Sequence, residues 1–122
     1  MLFEKLILNS DKSELSSIIF NLENVLNSTQ GMYVSCLEYG LPNNVEQAFS
    51  HIPTSAISYS KDILQVITKF EPRIYNSILT FVSAQGLVLK YLLKFKIKKT
   101  EGFFSLYLNV SYDAKVVIEI KY

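Results

Sequence analysis

Apolar residues recur at helical spacing in the first half of the chain and at alternate positions in the second. Leu15, Ile18, Ile19, Leu22, Val25 and Leu26 fall on one helical face, with Ser16, Ser17, Glu23 and Asn24 on the others. Asp11 followed by Glu14 resembles a capping box, so the pattern predicts a helix over about 12–28. Asn27 and Gly31 serve as stop residues, since both tolerate left-handed backbone. Residues 32–43 read as irregular or briefly extended, turning at Tyr39-Gly40-Leu41-Pro42-Asn43. A short helix fits Asn44 to Ser50 and is broken by Pro53. Thr54 or Ser55 then caps a longer helix whose stripe is Ile57, Ser60, Ile63, Leu64, Ile67 and Phe70. Pro72 pushes Glu71 out of the α region, so the helix exits there.

From Ile74 onward the period is two. Ile78, Thr80 and Val82 alternate with Leu79, Phe81 and Ser83, and Gln85-Gly86 is a turn signal. Leu93, Phe95 and Ile97 alternate with Lys94, Lys96 and Lys98, a half-buried strand with a basic outer face. Thr100-Glu101-Gly102 turns the chain into Phe104, Leu106, Leu108 and Val110, which alternate with Ser105, Tyr107 and Asn109. Tyr112-Asp113-Ala114 makes the last turn, before Val116, Ile118 and Ile120 alternate with Val117, Glu119 and Lys121. Strands joined by short turns predict an antiparallel meander. Its apolar face needs a cover, and the amphipathic helices supply one. The expected fold class is α+β, two main amphipathic helices packed on one face of a mainly antiparallel β-meander.

Composition narrows the function classes. A length of 122 residues fits a single domain over 1–122 with a real core. At 49% apolar the chain is too hydrophobic for disorder, and a net charge of +1 argues against a nucleic-acid binder held by phosphate contacts. Its apolar stretches are too short to span a bilayer, and Met1 to Leu8 is too short and too acidic for a signal peptide. A soluble cytoplasmic protein without membrane insertion is expected. Cys36 stands alone, so no internal disulfide forms, and a buried inert thiol is its default role.

Candidate chemistry is sparse. His51 is the one histidine, in an apparent loop before Ile52-Pro53, and a surface or helix N-terminal contact is the favoured role. No Cys/His cluster has zinc spacing, and Asp11, Asp62 and Asp113 are too scattered for a calcium loop. Gly31, Gly40, Gly86 and Gly102 each sit at a turn, so no phosphate loop exists; no metal or cofactor is expected. Glycoside hydrolysis needs paired carboxylates. Of Glu38, Glu46, Glu71 and Glu119, only Glu71 lies in a tight constellation, and its neighbour is Arg73, the sole arginine. An adjacent guanidinium lowers a carboxylate pKa and works against a general acid. Lys90, Lys94, Lys96, Lys98 and Lys99 accompany Tyr91 and Phe95, but Phe95 and the lysines point to opposite faces. A solvated strand face guarded by lysines is favoured over nucleic-acid binding.

Glu71-Pro72-Arg73-Ile74 follows the second long helix. Leu26-Asn27-Ser28-Thr29-Gln30-Gly31 follows the first, and Tyr39-Gly40-Leu41-Pro42-Asn43 lies between them. Together with Leu2-Phe3-Glu4-Lys5-Leu6, this ordered set resembles the lysozyme-related baseplate wedge family of contractile phage tails, whose type VI secretion member is called TssE. The resemblance implies structural work rather than catalysis. Glu71, Pro72 and Arg73 would bind partners, with Asn27, Gly31, Tyr39, Gly40 and Pro42 as secondary motif positions. The implied partners are wedge proteins of the TssF, TssG and TssK type and sheath subunits, in a baseplate docked at the inner membrane from the bacterial cytoplasm. A regulatory anti-adaptor of the same fold is the alternative, and a peptidoglycan hydrolase is disfavoured. Pro72 fixes the backbone, so Glu71 and Arg73 are expected to project as a rigid acid–guanidinium pair; an internal salt bridge pinning helix to sheet is the bland reading. The resemblance also suggests that a free sheet edge accepts sheath strands. The strand Lys115–Tyr122 is the candidate, with Val117 or Glu119 directing an N–H outward, while the Leu87–Lys98 strand lies near the lysine-blunted edge.

Overall fold

The computed structural model describes residues 2–32, 36, 38–42, 45–98 and 102–121, with residues 2–13 described by their backbone alone. In chain order the elements are α1 (Leu2–Leu26), α2 (Val45–Ala48), α3 (Thr54–Phe70), β1 (Ile74–Gln85), β2 (Val88–Ile97), β3 (Phe104–Ser111) and β4 (Val116–Ile120). The strands form one antiparallel sheet in the order β1-β2-β3-β4, the meander that the alternating pattern predicts. Leu89, Tyr91, Leu93 and Phe95 of β2 and Leu106, Leu108 and Val110 of β3 are buried on its inner face. They join Ile18, Leu22, Val25 and Leu26 of α1 and Ala56, Ile63 and Ile67 of α3 in one core cluster. The lysines of β2 fall on the opposite face, as their alternation requires.

Some expectations need correction. Helix α1 starts at Leu2, so Asp11 lies within the helix and does not cap it. No Gly or Pro interrupts 2–26, and the Leu, Glu and Lys of the first turns favour helix. Asn27 does not adopt left-handed backbone; Gly31 does, at φ +91°. Pro53, not Thr54 or Ser55, is the N-cap of α3. Ser55 instead accepts a hydrogen bond from the His51 N–H at 3.0 Å and donates to the Ala48 carbonyl at 2.7 Å, tying α2 to α3. Ile57 is exposed, because Ala56, Tyr59, Ile63 and Val66 set the buried stripe. Strand β2 is central, so the lysines blunt no edge; β1 and β4 are the edges. The turn at Tyr39–Pro42 and the glycine at 102 are described, whereas the readings at 33–35, 37, 43–44, 99–101 and 122 lie outside the described residues.

The ladder also fixes which way the backbone of β4 points. Ser111 N–H donates to the Lys115 carbonyl, and Lys121 N–H donates to the Ser105 carbonyl. Alternate residues share a direction, so Val117 and Glu119 face β3, and Val116, Ile118 and Ile120 face outward. The expectation of an outward N–H at Val117 or Glu119 is therefore corrected by one residue. Among the described residues, no helix is long and apolar enough to cross a membrane.

Candidate functional site

The Glu71-Pro72-Arg73 corner joins α3 to β1. The α3 ladder reaches Glu71, whose N–H donates to the Ile67 carbonyl at 2.9 Å. At φ −131°, ψ 81°, Glu71 has left the helix, as a residue before proline must. Its side chain folds back into the protein and is 1% exposed. Arg73 grips it as a fork: Nε donates to Oε2 at 2.9 Å and an Nη donates to Oε1 at 2.6 Å. The Arg73 backbone N–H adds a bond to Oε2 at 3.2 Å, and Asn21 Nδ2 donates to Oε1 at 3.1 Å. Asn21 also donates to the Phe70 carbonyl at 3.0 Å, and the other Nη of Arg73 donates to Ser17 Oγ at 2.8 Å. The corner thus pins α1, the end of α3 and the start of β1 to one another.

Burial alone would push the Glu71 carboxyl up. The hydrogen bonds from Arg73 and Asn21, reinforced by the Arg73 charge, outweigh it and hold the group below the usual carboxylate range. The hydrogen bonds to Glu71 raise the Arg73 guanidinium against the opposing effect of burial, with smaller electrostatic help from Glu71 and Glu14. Glu71 therefore does not project; it is the buried anchor of an internal ion pair. Arg73 alone faces out, its side chain 35% exposed beside the exposed ring of Pro72. A fixed guanidinium with one solvent-facing edge suits recognition of carboxylates or carbonyls. A carboxylate held ionised is the opposite of the general acid that glycoside hydrolysis requires.

Of the other motif positions, the structure brings Tyr39 beside the corner through Phe70 and leaves Asn27 away from it, against β4. Leu41 N–H donates to the Ser28 carbonyl at 2.8 Å, and Gln30 N–H donates to the Leu41 carbonyl at 2.9 Å. This bridge seats Gly40, at φ +106°, so close to Ser28 that a Cβ there would collide with the Ser28 carbonyl. The Tyr39 ring meets Phe70 edge-on, with centroids 5.2 Å apart, immediately before Glu71. Asn27 reaches the other side of the molecule and bonds Val116. Gly31 and Pro42 take their places in the two loops and do not touch the corner pair among the described contacts. Among the described contacts, His51, Cys36 and the acids of the hydrolase reading, Glu38, Glu46 and Glu119, do not bond the corner pair: Glu38 pairs with Lys69, and Glu119 accepts from Asn109 at 2.7 Å. Sequence reasoning missed Asn21 and the role of Ser17. Their spacing of four residues along the border of the apolar stripe was the available signal.

The profile of the family described as baseplate wedge protein gp25 matches residues 12–101. The chain belongs to that family. It is a family of structural baseplate proteins, and its members work by contact with other baseplate components. No curated protein matches the chain. Among solved structures, a Geobacter sulfurreducens protein provisionally described as a tail lysozyme aligns over 80% of this chain and 90% of its own. The TM-score is 0.64 at 17% identity, which establishes a shared fold and nothing about hydrolysis. The profile match spans the corner, α3, α1 from residue 12 onward and the first two strands.

Proposed function

We propose that this baseplate wedge protein is the TssE-type component of a type VI secretion system or a related contractile injection machine. It joins wedge proteins of the TssF, TssG and TssK type through the Pro72–Arg73 corner and initiates sheath polymerisation, working in the bacterial cytoplasm at a baseplate docked on the inner membrane. The observation that carries the reading is family membership combined with an arginine locked by a buried carboxylate yet open on one side. Pre-organisation lowers the entropy lost on binding, so a clamped guanidinium is a better recognition element than a free one. Glu71 acts indirectly, by orienting Arg73. The β4 edge supports the sheath part of the reading, since Ile118 and Ile120 present outward backbone groups for strand addition.

Reconstitution with purified TssF- and TssG-type wedge proteins tests the corner. Arg73→Lys keeps the charge but loses the fork, and it should weaken co-assembly while the protein stays folded by circular dichroism. Wild-type assembly by both Arg73→Lys and Arg73→Ala would overturn the reading. Release of muropeptides from purified peptidoglycan by the wild type, lost in Glu71→Gln, would replace it with hydrolysis.

A further inference from the structure

The sheet has a second face, turned away from α1 and α3, and its chemistry differs from the rest of the molecule. Register places Ile78, Leu92, Tyr107 and Val117 on it, contributed in turn by all the strands. Ile78 is 56% exposed and Val117 46%, so no element of the described chain covers them. Lys90, Lys94, Lys96 and Lys121 rise from the same face, against one carboxylate among the described residues, that of Glu119. The whole chain carries only +1, so positive charge is concentrated here. The lysines are not random surface hair. Lys90 Nζ lies 4.2 Å from the Tyr107 ring centroid and Lys121 Nζ 5.9 Å from it, which holds ammonium groups over an apolar floor.

We propose that this open face is a docking surface for an acidic amphipathic helix of a partner protein, its apolar stripe on Ile78, Leu92 and Val117 and its carboxylates against the lysines. A helix is the element that lies on a sheet face, as α3 does on the inner side, whereas an added strand takes an edge. Charge complementarity sets the partner's sign. Register also brings the exposed Tyr75 to this face opposite Lys96, but Ile78, Leu92 and Val117 make up most of the floor, Lys90 already covers the Tyr107 ring, and Glu119 repels phosphates, so the surface fits an acidic protein better than a stacked nucleic acid. This surface is separate from the Arg73 corner and stands independently of the function proposed for it.

The test titrates the isotopically labelled full chain with a lactam-bridged helical peptide carrying a leucine stripe flanked by glutamates. Amide shifts are expected to cluster at Ile78, Leu92, Tyr107 and Val117. Binding should weaken about tenfold in Lys94→Glu/Lys121→Glu, both exposed positions, and stay unchanged in Arg73→Lys. Ile78→Ser, which leaves the charge intact, should weaken it severalfold. The proposal is overturned by shifts confined to the helices or to Ile118 and Ile120, or by equal binding of a peptide with lysines in place of the glutamates. Tighter binding of oligothymidylate than of the acidic peptide, or self-association through this face, also overturns it.

Discussion

Asn27 closes the edge of the sheet at Val116 as if it were a peptide of a further strand. Its Oδ1 accepts from the Val116 N–H at 2.8 Å and its Nδ2 donates to the Val116 carbonyl at 2.9 Å. The Asn27 amide also reaches back to the Glu23 carbonyl at 2.9 Å, so the end of α1 and the start of β4 share one side chain. The free part of the β4 edge then begins at Ile118.

Removing this clamp has a local signature. Asn27→Ala should cost about 1–2 kcal/mol, because two backbone groups lose their partner at a site that water partly reaches. Asn27→Asp keeps the acceptor but sets a carboxylate oxygen against the Val116 and Glu23 carbonyls at a helix C-terminus, so it should cost at least as much as Asn27→Ala. Thermal melts give the magnitude, and faster hydrogen exchange of the Val116 amide identifies the cause.

The corner pair is expected to be worth more than an ordinary surface bridge. Arg73→Ala leaves a buried carboxylate with only the Asn21 amide and the backbone N–H of residue 73. The expected loss is about 2–3 kcal/mol, below that of a fully buried pair because solvent reaches one side of Arg73. Glu71→Gln/Arg73→Ala should recover part of it, since no buried charge is then orphaned. Chemical denaturation of the single and double variants checks both statements.

Acid should destabilise the protein through Glu71. Its native pKa lies below the unfolded value of about 4.3, so in falling pH the unfolded chain takes up the proton first. The contribution is therefore complete above about pH 5 and is lost as pH drops through the native pKa. Glu71→Gln should flatten that part of the melting-temperature profile. At the alkaline end burial pushes the Tyr59 hydroxyl up to about 12, with Asp62 adding to it, and raises that of Tyr91 as well. Tyr91 also donates to the Ala56 carbonyl at 2.7 Å. The contribution of these phenols is present below about pH 10 and declines as pH rises through their native values.

Glycine positions should separate by surroundings. Gly40→Ala meets both a left-handed φ and the Ser28 backbone, and should cost more than about 2 kcal/mol. Gly86→Ala, with open space around it, should cost only about 1 kcal/mol from its φ of +59°. Paired thermal melts read the difference.

Proline scanning of β4 tests the edge. Glu119→Pro removes an N–H aimed at β3 and should unravel the strand. Ile120→Pro replaces an outward N–H on an exposed residue, so the fold should persist while sheath nucleation is blocked. Normal sheaths nucleated by a folded Ile120→Pro protein would remove β4 as the acceptor edge.

The sequence by itself determined the element types and the core. Period-two alternation places Leu93, Phe95, Leu106 and Leu108 inward because side chains of a strand alternate strictly, and helical spacing does the same for Ile18 and Leu22. It also singled out Glu71-Pro72-Arg73, since a lone arginine after a helix-ending proline is a local feature. Tertiary structure decided what local patterns do not encode. Which strand is an edge depends on pairing order, and the direction of the β4 N–H groups depends on ladder register. Asn21 and Ser17 became part of the corner, and Asn27 a clamp on Val116, only when contacts 49 to 89 residues apart along the chain were closed. The burial of Glu71 was decided in the same way: an Arg73 fork and an Asn21 amide together overcome the cost of taking its charge out of water.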